Sequence, residues 1–168
     1  MGVSGSGKST IGALLAKKLD AGFTDGDRFH SASNIAKMAA GAPLDDSERL
    51  PWLEAIGKHL AASASSGSTE IVACSALKRQ YRDVLRSYSP GLFVVFLDGP
   101  SDVIRERIAR RNHAFMPSSL LESQLASLEP LGPDELGIRV DIMLPPEQIV
   151  GEVIARLSVE SGALSTTR

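Results

Sequence analysis

The sequence predicts an α/β fold in three layers, a parallel sheet with helices on both faces, and three observations carry that reading. Two short apolar runs rich in β-branched and aromatic residues, "TEIVACS" and "LFVVFLDG", have the pattern of strands covered on both faces. Between such runs lie segments whose apolar residues recur at spacings of three and four, as crossover helices require. A length of 168 residues suits one domain with a sizeable core and is too short for two ordinary ones. The domain is taken as 1–158, with a flexible tail over 159–168.

In chain order, Lys8 to Leu19 carries Ile11, Leu14, Leu15 and Leu19 at helical spacing. "AGFTDGD" reads as a short strand ending in acids, and "SASNIAKMAAG" as a brief helix with Ser33 as N-cap and Gly41 as stop. From Asp46 to about Ala64, Leu50, Leu53, Ile56 and Leu60 mark a long helix that ends in the loop "SASSGS". "ALKRQYRDVLRSY" joins the two apolar strands as a helix, and "SDVIRERIARR" follows as another. An irregular "NHAFMP", a helix "SSLLESQLASLE", a loop rich in Pro and Gly, a strand "GIRVDIM" and a helix from Pro146 to about Leu157 complete the pattern.

Composition narrows the function. The apolar fraction is 43%, and no apolar run approaches the roughly 20 residues of a membrane span, so a soluble, cytoplasmic protein is expected. A net charge of −2 offers no general attraction to nucleic acid or anionic lipid. Cys74 is the single cysteine and sits in an apolar run, which suits a buried small hydrophobe better than a reactive thiol.

The strongest local signal is "MGVSGSGKST", where Gly2, Gly7, Lys8 and Ser9 fit GxxxxGK[ST] without a mismatch. Glycines at these positions let backbone N–H groups turn inward around phosphate oxygens. Lys8 then reaches the β and γ oxygens, the Ser9 hydroxyl binds Mg²⁺, and the following helix points its N-terminus at the same anions. Nucleotide contacts are therefore expected from Gly2, Ser4, Gly5, Ser6, Gly7, Lys8, Ser9 and Thr10, with ATP and Mg²⁺ as cofactors. In this architecture the loop normally follows a buried strand, yet only Met1 precedes Gly2, so a first strand is expected to be missing from this chain. Its loss would leave strand edges unpaired and apolar helix faces uncovered.

The acceptor side is read from acids and bases at other strand ends. Asp25-Gly26-Asp27 follows the second predicted strand, and ligands in open α/β sheets gather beyond the carboxyl ends of strands. Asp27 can orient an acceptor hydroxyl and accept its proton, while Asp25 can hold the metal. The third apolar run ends in Cys74-Ser75 and lacks the aspartate that often serves the metal, which leaves that task to Asp25. Basic residues stand at Arg49, at Lys78, Arg79 and Arg82, and at Arg107, Arg110 and Arg111, available to neutralise a transferring phosphoryl group and to clamp an anionic acceptor. "RRNHAFMP" has the look of a lid over the nucleotide, placed at about 111–119. His30, His59 and His113 show no zinc spacing.

Taken together, "MGVSGSGKST", "DGDRFHSASNIAKMAAGAPLDDSERLPWL", "CSALKRQYRDVLR" and "FMPSSLLESQLASLEPL", in this order, resemble the gluconokinase family of small phosphate-loop kinases. The resemblance spans Met1 to about Leu131, and its second and third segments are far more specific than the first. It implies a P-loop kinase fold like that of shikimate and nucleoside monophosphate kinases, and transfer of the ATP γ-phosphate to the 6-hydroxyl of D-gluconate. By position it implies catalytic roles for Lys8 and Asp27, metal contacts from Ser9 and Asp25, and acceptor contacts from Asp27, Arg49, Lys78 and Arg82. Arg107 and Arg111 become lid and nucleotide contacts. The family is generally cytosolic and often dimeric. Two departures stand out: the absent strand before the loop, and Ala114-Phe115-Met116 in the lid, where the family usually reads His-Phe and this chain has His113 one place early.

The rival readings are an adenylylsulfate kinase, a shikimate kinase, or a nucleotide-binding switch without catalysis. "NIAKMAAGAPLDDSERLPWL" argues against the first, and "CSALK" in place of a glycine-rich segment argues against the second. Against the third, the chain has no guanine-reading NKxD motif, and paired Asp25 and Asp27 would have no evident purpose in a mere binder.

Overall fold

Lys8–Leu19 forms the first helix, α1, directly from the glycine loop, with Gly7 at its N-cap in a left-handed conformation and no side-chain cap. Its first-turn N–H groups are therefore left for the loop and whatever anion it holds. A computed structural model describes residues 1–110 and 118–165. After α1 come β1 (Gly22–Asp25), a 3₁₀ turn (Gly26–Phe29), α2 (Ala32–Ala39), α3 (Asp46–Ser65), β2 (Glu70–Ala73), α4 (Arg79–Tyr88) and β3 (Val94–Asp98). The chain continues through α5 (Ser101–Ala109), α6 (Ser118–Ser127), β4 (Gly137–Asp141) and α7 (Pro146–Ser165).

The expected α/β architecture is present, with all strand pairing parallel and two packed cores. One core joins α1, α5, α6 and α7 to β3 and β4 through Ile11, Leu15, Ile104, Leu121, Val140 and Val153. The other joins α3 and α4 through Trp52, Leu53, Ile56, Leu60, Tyr81 and Leu85. The strands thus lie between two helical layers. They do not form one sheet: β1 pairs with β2, β3 pairs with β4, and the two pairs are separate. Among the described residues no strand precedes the loop, and Met1 bridges the gap, its carbonyl accepting from Leu97 N–H at 3.0 Å while Gly2 N–H donates to Ser75 O at 3.2 Å. Among the described residues no helix is long and apolar enough to cross a membrane.

Several boundaries differ from expectation. Ser31, not Ser33, caps α2, because the Ser31 hydroxyl accepts from Asn34 N–H while Ser33 lies inside the helix. Helix α4 starts at Arg79 rather than Ala76, since Ala76 is held at φ +41° and Lys78 is still extended at the N-cap. Helix α7 runs on to Ser165 instead of ending near Leu157; nothing between these positions stops it, and the Arg156–Glu160 pair at 2.7 Å spans the expected end. Helix α3 begins with a capping box, Asp45 accepting from Glu48 N–H and the Glu48 carboxylate accepting from Asp45 N–H, which aims the residues just after it at the site below.

Candidate active site

The glycine loop has the conformation its sequence requires. Gly2, Gly5 and Gly7 all adopt positive φ, and a Cβ on Gly2 would stand 2.7 Å from Leu97 O. A Cβ on Gly7, by contrast, would meet nothing within 4 Å, so open space lies over the N-terminus of α1 where a phosphate chain belongs. Lys8 Nζ donates to Val3 O at 2.9 Å, folding the ammonium back over the loop. The Ser6 hydroxyl is buried and without a partner, and Ser4 N–H donates to Gln124 Oε1 of α6 at 2.7 Å. Beside the loop a cavity of about 360 Å³ is lined by Gly5, Gly7, Thr10, Arg107, Arg110 and Ile149, the right place for the nucleoside end of a nucleotide. Arg107 reaches this cavity with one nitrogen on Ile142 O at 2.8 Å, while Arg111 lies outside the described residues, as do His113, Ala114 and most of the expected lid (111–117).

The acids come together as expected. Ser9 Oγ donates to Asp25 Oδ2 at 3.0 Å, so the hydroxyl and carboxylate assigned to the metal share one spot. That donor set, a hydroxyl and a carboxylate oxygen beside an open anion cradle, fits Mg²⁺, which takes oxygen ligands from few protein groups and from phosphates. Asp25 also accepts from Asp27 N–H at 3.1 Å and so orients the turn that carries Asp27. Asp27 keeps solvent access, yet neighbouring protein crowds it: burial first, then the charge of Asp25, raise its pKa, and Lys8 partly opposes them. Gly26 is required between them, because a Cβ there would lie 2.8 Å from Ala73 O.

Trp52 and His30 complete this turn, and sequence reasoning missed both. Buried Trp52 donates its indole N–H to Gly26 O at 2.8 Å and stacks on the His30 ring at 4.3 Å between centroids. His30 N–H donates to Asp27 O, and its Nδ1 is buried without a partner. Burial and nearby Arg49 push the imidazole down to about 4, so it is neutral at physiological pH.

A cleft of about 590 Å³ is lined by Asp46, Arg49, Lys78, Tyr81, Ser123 and Gln124, among others. Arg49 donates to Leu44 O at 3.1 Å and lies over the Tyr81 ring. Lys78 pairs with both oxygens of Asp46 at 2.7 and 2.9 Å, and Tyr81 and Gln80 donate to the same carboxylate. These bonds, Lys78 first, hold the Asp46 carboxyl down to about 2. Two of the three expected acceptor cations, Arg49 and Lys78, therefore face this cleft.

Arg82 does not. Its side chain is fully buried, paired with Glu135 through two bonds of 2.7 Å, and it donates to the carbonyls of Ala76, Leu77, Glu129 and Pro130. With its donors spent inside the protein, Arg82 acts by holding the turn at Ala76 and Leu77 from which Lys78 projects. The signal was in the helical phase: Tyr81, Arg82 and Leu85 all lie on the buried face of α4. Arg79 likewise turns away from the cleft to pair with Asp134.

Comparison with known proteins follows this geometry. The shikimate kinase family profile matches residues 4–131. The thermosensitive gluconokinase of Escherichia coli (strain K12) is 48% identical over 143 residues, covering 84% of this chain and 76% of that protein. The crystal structure of a gluconokinase from Sinorhizobium meliloti 1021 superposes with a TM-score of 0.89 at 46% identity, covering 99% of this chain and 93% of the other. An unliganded sugar kinase from Janibacter sp. HTCC2649 gives a TM-score of 0.91 at 49% identity, over 94% and 91% of the two chains. Likeness at this level over most of the chain settles the family: the chain belongs to the gluconokinases, within the P-loop kinase fold that they share with shikimate kinase.

Proposed function

We propose that this chain transfers the γ-phosphoryl group of ATP to the 6-hydroxyl of D-gluconate by in-line displacement, giving 6-phospho-D-gluconate and ADP. The observation that carries the reading is that Asp27 stands close enough to Lys8 of the phosphate loop to feel its charge, while a separate cleft presents Arg49 and Lys78. An acid sugar fits such a cleft with its carboxylate on the cations and its far hydroxyl at the aspartate. The names of the relatives support the same acceptor.

In this account the loop N–H groups and Lys8 hold the β and γ phosphates, and Lys8 neutralises charge on the transferring group. Ser9, with Asp25 beside it, would hold Mg²⁺, which would supply further neutralisation of the phosphate charge. Asp27 accepts the proton of the attacking hydroxyl as that oxygen bonds to phosphorus, and the bond to the β–γ bridging oxygen breaks with its electron pair leaving on ADP. Arg49 and Lys78 fix the other end of the acceptor, which limits transfer to water by favouring the positioned hydroxyl. Asp46 holds Lys78 and Tyr81 in place before the acceptor arrives.

The test separates the two ends of the site. Lys78→Ala and Arg49→Ala should each raise KM for gluconate roughly 10- to 100-fold, the loss of one hydrogen bond to a charged group, with KM for ATP unchanged. Equal loss for both substrates, or none for gluconate, would remove the cleft from the account.

A further inference from the structure

One peptide group of the phosphate loop is gripped from both sides. Its oxygen, on Val3, accepts from Lys8 Nζ at 2.9 Å, and its N–H, on Ser4, donates to Gln124 Oε1 at 2.7 Å. A single peptide group therefore stands between Gln124 and the ammonium assigned to the transferring phosphoryl group.

Helix α6, which carries Gln124, also borders the acceptor cleft, which Ser123, Gln124 and Ser127 line together with Arg49 and Lys78. Just past the end of the helix, Glu129 N–H donates to Leu77 O at 2.9 Å and the Glu129 carboxylate accepts from Arg79 N–H. The same helix is thus tied at one point to the phosphate loop and at another to the turn that presents Lys78. The Ser4 N–H also fixes which way the Gln124 amide points: a backbone donor needs an acceptor, so Oε1 is spent on the loop and the NH₂ is left over. Among the described residues Nε2 donates to no other group, and the side chain is only half-buried.

We infer that Gln124 sets the register of the acceptor: Nε2 donates to a hydroxyl oxygen of the sugar acid near the end that receives the phosphate, while Oε1 holds the loop peptide on which Lys8 rests. This rests on the acceptor assigned above. Arg49 and Lys78 take the charged end of the acid, and Gln124 ties its far half to the loop. An acid of the same charge that lacks that hydroxyl still meets the cations but loses its alignment, so the penalty falls on kcat as well as on KM.

The experiment is a substrate and variant cycle: kcat/KM for D-gluconate and its 2-, 3-, 4- and 5-deoxy analogues, with the unsubstituted chain, Gln124→Met and Gln124→Glu. Met removes both hydrogen-bonding groups, whereas Glu keeps an oxygen for Ser4 N–H and removes the donor. The unsubstituted chain should prefer gluconate over the 4- or the 5-deoxy analogue roughly tenfold, and both variants should erase that preference while leaving the 2- and 3-deoxy ratios in place. Lost stability, altered loop geometry or added charge acts on gluconate and its analogues alike and cancels in each ratio, so a merely structural role moves none of them. Unchanged ratios in the variants, or a fall spread evenly over all four, would overturn the inference while the acceptor reading stands. No turnover of gluconate by the unsubstituted chain would overturn the acceptor reading and this inference with it.

Discussion

Asp27→Asn is expected to lower kcat for gluconate by roughly 10²- to 10⁴-fold, the usual contribution of a positioned general base. The substitution preserves size, and the backbone bond by which Asp27 N–H meets Asp25 is untouched, so the turn survives. KM for ATP should stay close to its original value, since the nucleotide is held by the loop and Lys8. The pH profile gives a second readout. A base must be ionised to act, and burial together with the charge of Asp25 raises the Asp27 pKa. The rate should therefore fall as pH drops through a value above the ordinary carboxylate range, and that limb should vanish from the residual activity of Asp27→Asn. Steady-state rates from pH 4 to 8 check both; a variant that keeps its rate and its acid limb would assign the base elsewhere.

Arg82→Met is expected to be the most damaging substitution for stability. Arg82 and the Glu135 carboxylate have no solvent-accessible side-chain surface, and removing one member of such a pair leaves a buried charge short of its partner. The cost should be about 3–5 kcal/mol, at the lower end because Arg86 also reaches Glu135. For a domain of this size that corresponds to a fall in Tm of about 6–12 °C in calorimetry. The carbonyls of Ala76 and Leu77 would lose their donor as well. Lys78 should then lose its fixed position, so KM for gluconate rises while KM for ATP does not. The pair also leaves a pH signature. Hydrogen bonds from Arg82, then from Gly132 N–H and Arg86, hold Glu135 down to about 2 against an ordinary 4.5. A lowered carboxylate pKa gives stability that is complete above about 4.5 and lost as pH falls toward 2. In Arg82→Met that acid loss should be shallower, and an unchanged acid limb would mean that the pair is not what sets it.

Much of the site could be read from the chain because its parts are local. The loop, the first turn of α1 and the Asp25-Gly26-Asp27 turn each follow from contiguous residues whose backbone needs are set by glycine and whose side chains bond within a few positions. The spacing of α3 was equally plain, since its apolar face repeats over many turns. What stayed hidden depends on distant partners. Lys78, Arg79 and Arg82 look alike as a basic cluster, and only the burial of α4 against the loop that carries Glu135 decides that Lys78 faces the cleft while Arg82 goes inside. The stack of His30 on Trp52 had no local signal either, because it needs α3 to pack against the 3₁₀ turn. The lack of an apolar run before Gly2 implies unpaired strand edges, but the division into two sheets and the bond of Met1 O to Leu97 N–H depend on contacts between distant parts of the chain.

The central claim is that a sugar acid in the Arg49 and Lys78 cleft receives the phosphoryl group. Its most direct test is ADP release by the purified chain in Mg²⁺ and ATP, across D-gluconate, other sugar acids, shikimate and adenylylsulfate, with phosphorus NMR of the product. The account predicts turnover far above the acceptor-free background with gluconate, with the new phosphate on the 6-hydroxyl. A folded protein that gluconate does not stimulate, or that shikimate or adenylylsulfate stimulates instead, would contradict it.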